Sequence, residues 1–154
     1  MKYVVDTNVL VVANGRARHA TPSCVSASVQ MLGILERKGT IVLGDEWHIL
    51  GEYGKTLGNN RQQPGVGDAF LKWVLTNQAN PGRCEQVHIT PRGNSFAEFP
   101  NDPTLQGFDP SDHKFVAVSC AHPEHPPILN AVDSDWKHVR QALAFHGVTV
   151  EELC

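Results

Sequence analysis

Short apolar runs that end in an acid or a turn alternate with longer stretches of helical periodicity along most of this chain. Tyr3-Val4-Val5 is the first such run and reads as a buried strand. Asp6-Thr7-Asn8 then caps a short helix through Val12, which Asn14-Gly15 ends. Arg16 to Ala20 is a loop. A second helix opens at Thr21-Pro22-Ser23, carries Val25, Val29, Leu32 and Leu35 at helical spacing, and stops at Gly39. Ile41-Val42-Leu43 is the second strand. Asp45 caps the next helix, Glu46 to Leu57, with Trp47, Leu50, Tyr53 and Leu57 as its apolar stripe.

A polar break from Asn59 to Gly65 precedes a helix over Asp68–Asn77, with Phe70, Leu71, Val74 and Leu75 inward. Glu85 to Ile89 is the third strand, and Thr90 to Gly107, rich in Pro, Gly and Asn, reads as a long exposed loop. Asp109 to Cys120 is a helix, Ile128 to Val132 the fourth strand, and Ser134 to Phe145 the last helix. Val148-Thr149-Val150 reads as a short terminal strand. Such alternation predicts an α/β fold, a three-layer α/β/α sandwich on a mainly parallel sheet of four to five strands. At 154 residues the chain reads as a single domain, 1–154.

Composition limits the partners. The net charge is −3, with 13 basic and 16 acidic residues, which excludes a protein that binds nucleic acid through overall basicity. A local nucleic-acid site remains open. No apolar run approaches the ~20 residues of a membrane span, and the early Asp6 leaves no room for a secretory signal, so no membrane role is expected. Cys24, Cys84, Cys120 and Cys154 form no C-x-x-C pair and are expected to be reduced thiols in a cytoplasm. Cys120, His122 and His125 have a spacing that suits a metal, although Pro123, Pro126 and Pro127 also make this an ordinary surface turn.

In a parallel α/β sheet, ligands bind beyond the carboxyl ends of the strands. Asp6 stands directly after the first strand, Asp133 directly after the fourth, and Asp135 two residues on. Asp112 lies in the first turn of the helix after the long loop. Glu52 sits mid-helix, roughly 60° from Ile49 and off the apolar stripe, where it reaches the rim of the sheet. Each acid alone has an ordinary explanation. Asp6 and Asp133 are N-cap residues, Asp112 is the far member of a capping box opened by Asp109, and Glu52 is a solvated surface residue. Together they bring three or four carboxylates to one edge, where like charges raise one another's pKa or bind a cation. Oxygen-only ligands suit Mg²⁺ or Mn²⁺ rather than zinc.

These residues resemble the motifs of the PIN-domain family of metal-dependent ribonucleases. Val4-Val5-Asp6-Thr7-Asn8-Val9-Leu10 resembles its first motif, a strand ending in Asp followed by Thr-Asn or Thr-Ser. Asp112-His113-Lys114-Phe115-Val116-Ala117-Val118 resembles its Asp motif on a helix, and Ala131-Val132-Asp133-Ser134-Asp135-Trp136 its Asp-x-Asp motif after the fourth strand. Glu52 falls where the family places a Glu. The order and spacing agree over essentially the whole chain, with Ala131 standing where Thr or Ser is usual and with a longer middle at Asn80 to Gly107.

The resemblance implies that Asp6, Glu52, Asp112 and Asp133 hold one or two Mg²⁺ or Mn²⁺, with Asp135 as a fifth, outer ligand. Asn8 would hydrogen-bond Asp6 or a metal-bound water, its alternative being an ordinary helix-start Asn. The implied activity is hydrolysis of RNA phosphodiesters, on single-stranded or loop RNA because no long basic face exists to track a duplex. Arg16 and Arg18 are the foremost RNA-facing cations, with Lys114, Lys55 and Arg61 as further candidates. Trp47 and Trp136 can stack on bases or pack in the core.

Many small members of the family are toxins paired with an antitoxin protein, and many dimerise, so an antitoxin and a homodimer are implied partners. The alternatives are an RNA-processing or defence nuclease without antitoxin, and a catalytically inactive binding module. A receiver-like signalling domain fits poorly because the second strand ends in Gly44-Asp45 and Lys114 lies in a helix. A dehalogenase-type phosphatase would need Asp at residue 8, which is Asn.

Overall fold

The computed structural model describes residues 1–58 and 63–154. The first half forms β1 (Lys2–Val5), α1 (Thr7–Ala13), α2 (Pro22–Lys38), β2 (Thr40–Gly44), α3 (His48–Leu57) and α4 (Val66–Asn77). The second half forms β3 (Cys84–Val87), a hairpin of β4 (Pro91–Arg92) and β5 (Ser95–Phe96), α5 (His113–Ala121), β6 (Ile128–Asn130), α6 (Asp135–Ala144) and β7 (Val150–Glu152). Five strands make one parallel sheet in the order β3-β2-β1-β6-β7. The fold is the three-layer α/β/α sandwich that the alternation predicts. α1 to α4 pack on one another, and α5 lies across β2, β1 and β6.

Val4, Val5, Ile41, Val42, Leu43, Ile128 and Leu129 bring the sheet's apolar residues into one buried cluster. α5 is unusual in having every residue from His113 to Ser119 buried, as expected of a helix enclosed on all sides. α4 sits close on α1, because a Cβ at Gly67 would lie 2.2 Å from the Leu10 carbonyl oxygen. A larger residue there would push the two helices apart.

Several local expectations need correction. α3 starts at His48, so Trp47 lies outside the helix and is 62% exposed instead of joining the apolar stripe. Asp45 does not cap it; its carboxylate faces His88 Nδ1 at 3.0 Å. The segment from Thr90 to Gly107 is not an open loop. Gly93, at φ 59, supplies the left-handed turn between β4 and β5, and Leu105 is buried. Phe99 stacks on His113 with ring centroids 3.7 Å apart, and the Ser95 hydroxyl meets His113 Nδ1 at 2.7 Å. Those contacts fasten the insertion to α5. The helix expected from Asp109 is a 3-10 turn over Pro110–Asp112 before α5.

The cysteines also depart from four reduced thiols. Cys24 in α2 and Cys154 after β7 form a disulfide, with Cα atoms 5.3 Å apart and a separation of 130 positions in sequence. Cys84 and Cys120 remain free, and burial pushes both thiols up to about 11. No helix among the described residues is long and apolar enough to cross a membrane.

A bridge that closes so long a loop constrains the unfolded chain strongly. Cys154→Ser is expected to cost about 2–5 kcal/mol, read as a lower urea midpoint. Dithiothreitol should bring the wild-type protein to the same midpoint. A variant with an unchanged midpoint would show that the bridge adds no stability.

Candidate metal centre at the β1–β6 switch point

Strand order reverses between β1 and β6, and the carboxyl ends of these neighbours frame the crevice where α/β sheets take ligands. Asp6 leaves β1 into this crevice and is only 4% exposed. Its carboxylate accepts the Asn8 backbone N–H at 2.8 Å and the Trp136 Nε1–H at 2.7 Å. Burial raises its pKa, those two hydrogen bonds lower it, and the charges of Glu52 and Asp133 raise it again; the result is about 7. Asp6 is thus the N-cap of α1 and a strained acid at the same time.

Glu52 comes to the same place from α3. One of its oxygens accepts the Thr7 hydroxyl, and the other accepts the Lys114 ammonium at 2.6 Å. Asp112 enters from the turn before α5. It does not close a capping box: Asp109 accepts the Ser111 N–H, while the Asp112 carboxylate makes no capping bond. Burial raises Asp112 first, and the charges of Asp6, Asp133, Asp109 and Glu52 add to it, up to about 8. Asp6, Glu52 and Asp112 line one cavity of about 280 Å³, together with Thr7, Asn8, Ala17 and Val132.

Asp133 stands beside this cavity without lining it, and its charge acts on both Asp6 and Asp112. β6 ends at Asn130, two residues earlier than the apolar run suggests, so a turn carries the chain to Asp133. Asn130 builds that turn. Its carboxamide accepts the Asp133 N–H and donates to the Asp133 carbonyl and to Glu152. The Asn8 side chain joins it, donating to Asn130 Oδ1 at 2.8 Å and accepting the Ala131 N–H at 2.8 Å. Asn8 therefore reaches Asp6 through its backbone only, while its side chain clasps the ends of β1 and β6. Asp135 is not brought in. It is exposed and lines a separate cleft with Gly107, Phe108, Asp109 and His138.

Among the cations, Arg16 and Arg18 are exposed on either side of Ala17, which lines the acid cavity. Lys114 is not an RNA-facing cation: it is 8% exposed and its ammonium is spent on Glu52 and the Ser111 carbonyl. A residue in the first turn of a helix buried all round has no surface to face. Lys55 is exposed, and Arg61 lies outside the described residues. Trp136 is fully buried in the core, and Trp47 is exposed.

A second group of donors lies at the opposite, amino edge of the sheet. Glu85, His122 and Glu124 each place a donor atom within 4.8 Å of the others, the only such trio among the described residues. Cys120 and His125 do not join His122; His125 Nδ1 meets the Ser119 carbonyl instead. A cleft of about 710 Å³ borders this trio, larger than the acid cavity. Yet the trio is internally satisfied. Lys2 pairs with Glu85 at 3.1 Å and with Glu124, and His122 Nε2 meets Glu85 at 2.6 Å. His122 Nδ1 accepts the Glu124 N–H at 3.0 Å, so the ring hydrogen is on Nε2. A metal on Nε2 would have to move that proton to Nδ1 and break the Glu124 N–H bond.

The acids at the switch point differ: Asp6 and Asp112 are raised far above the carboxylate range, and neither forms a salt bridge among the described residues. They offer oxygen alone, the donor set for Mg²⁺ or Mn²⁺. No three of them stand within 4.8 Å, which fits an ion that keeps waters between itself and some of its acids. Sequence reasoning passed over Thr7, Asn130 and the indole of Trp136 as parts of the site. Only the Thr-Asn after Asp6 gave a signal for any of them. No protein-family model, no curated protein and no solved structure matches the chain.

The raised acids predict an unusual pH profile for stability. In EDTA, native Asp6 and Asp112 hold protons that the unfolded chain releases from its ordinary value of 3.8 upward. The folded state then binds more protons, so stability falls as pH rises through about 4 to 8. The urea midpoint should drop across this window, and Asp112→Asn should flatten the drop. A wild-type midpoint that climbs with pH would contradict the assignment.

Proposed function

We propose that the chain is a metal-dependent ribonuclease that hydrolyses RNA phosphodiesters at the β1–β6 switch point. The observation that carries this reading is the convergence of Asp6, Glu52 and Asp112 on one cavity, with the charge of Asp133 beside them. The PIN-domain resemblance of the segments that bear these residues supports it.

Asp6, Asp112 and Asp133 would hold Mg²⁺ or Mn²⁺ directly or through water. When bound, the ion supplies a water of lowered pKa and offsets charge on the phosphodiester oxygens. The chain's own residues prepare the rest. The Asn8 amide and the Trp136 indole fix the Asp6 carboxylate from two sides, so its remaining lone pairs point one way. The Asn8–Asn130 clasp holds the turn that bears Asp133 at a set distance from Asp6. Arg16 and Arg18, exposed on either side of Ala17 in the cavity wall, would contact the phosphate backbone, which an acidic site would otherwise repel. An exposed Trp47 on the same sheet edge offers a face for an unpaired base, in keeping with single-stranded or loop RNA.

The biological setting that the resemblance favours is a toxin held by an antitoxin, with a homodimer as the working form. A cytoplasmic location belongs to the same proposal. There the Cys24–Cys154 pair would meet a reducing thiol pool and stand open.

The test is cleavage of a single-stranded RNA in Mn²⁺, in Mg²⁺ and in EDTA. Cleavage is expected with either ion and absent in EDTA. Asp6→Asn and Asp112→Asn are each expected to lose at least about 100-fold, and Arg16→Ala/Arg18→Ala to weaken binding more at low salt than at high. Cleavage in EDTA, or full activity in both Asp variants, would overturn the reading.

A further inference from the structure

Lys114 is misplaced by ordinary rules. It lies in the first turn of α5, where the helix dipole disfavours a cation, and it is buried together with His113 before it and Phe115 to Ser119 after it. A buried ammonium persists only when its charge is matched and its protons are taken. Both conditions are met here. Glu52 Oε1 accepts one proton at 2.6 Å, the Ser111 carbonyl accepts another, and the Phe115 ring centroid lies 5.0 Å away. The second oxygen of Glu52 is engaged by the Thr7 hydroxyl. Glu52 is thus ion-paired on one side and hydrogen-bonded on the other, and among the described residues it is the one acid of the cavity that has a cation of its own.

Resting on the metal-site reading above, we propose that the Lys114 ammonium is the built-in second cation of this site, so that the chain takes a single divalent ion. Two-metal phosphodiester sites set their ions roughly 3.5–4 Å apart and share carboxylates between them. A second ion on Glu52 would have to stand beside the ammonium already bonded to it, and the repulsion between the two falls on a buried, weakly screened spot. The remaining acceptors belong to Asp112, which makes no capping bond, and to the free lone pairs of Asp6 and Asp133. Those three serve one ion. Glu52 acts through Lys114 and Thr7 as a positioning residue: it anchors α3 to α1 and α5 across the crevice and fixes where the ammonium sits.

Counting bound Mn²⁺ by equilibrium dialysis or by loss of the free-ion paramagnetic signal tests this without any RNA. The wild-type protein is expected to bind one Mn²⁺ per chain, and Lys114→Arg one as well. Lys114→Met is expected to bind two, because Glu52 becomes available. The double variant Glu52→Gln/Lys114→Met, which removes the pair as a neutral unit, is expected to return to one, with affinity within about tenfold of wild type. This double variant keeps the test decisive if Lys114→Met alone fails to fold. Two ions in the wild-type protein, one ion in a folded Lys114→Met, or loss of binding in the double variant would each overturn the proposal. No Mn²⁺ at all would overturn it together with the metal-site reading. One Mn²⁺ without RNA cleavage would leave this inference standing and remove the ribonuclease.

Discussion

β1 and β6 are neighbours in the sheet, yet the chain leaves β1 toward β2 on one side and reaches β6 and β7 on the other. A parallel sheet wound with helices on both faces does this, and the connections that part at that point leave a crevice with helix starts on its rim. Everything at the acidic edge follows from that reversal. Asp6 lands there because it ends β1. Asp133 lands there because Asn130 turns the chain after β6. Asp112 and Glu52 are carried in by α5 and α3, which are joined across the crevice by the Lys114–Glu52 ion pair. The Asn8–Asn130 clasp closes the remaining degree of freedom between the two strand ends.

The two edges of the sheet treat charge in opposite ways. At the amino edge, Glu85 and Glu124 share Lys2, and His122 completes the group, so Glu85 is held below its usual carboxylate range, chiefly by the His122 hydrogen bond. At the carboxyl edge the surplus is left standing. Among the described residues Asp6 has only neutral N–H donors, which hold its orientation without matching its charge. Asp112 is driven higher still. A fold that satisfies acids so fully at one edge, and leaves them raised at the other, has an electrostatic demand at the second edge of the kind a divalent cation would meet. The metal-site proposal therefore rests on the smaller cavity between the acids and not on the larger cleft at the amino edge.

The layered α/β fold was legible because its signal is periodic and local. Runs such as Ile41-Val42-Leu43 and helices such as 22–38 announce themselves within one window of sequence. The acids were legible for a related reason: a strand end in a parallel sheet is a position that topology places. Long-range and side-chain-directed features were not. Nothing around Trp136 tells that its indole hydrogen reaches Asp6, 130 residues away. Nothing around Cys24 tells that it meets Cys154. Lys114 read as a surface cation because lysine usually is one, and only the enclosure of α5 on all sides turns it inward. The resemblance made Asp135 an outer ligand, but the first turn of α6 points it into another cleft.

The central claim is that the raised carboxylates of the crevice form the cation site of this chain. The most direct measurement is the anomalous-scattering position of Mn²⁺ in crystals of the protein soaked at neutral to mildly alkaline pH. The account predicts one peak in the cavity bounded by Asp6, Glu52 and Asp112, on the side away from the Lys114 ammonium. A crevice without a peak, with Mn²⁺ instead at Glu85, His122 and Glu124, would contradict it.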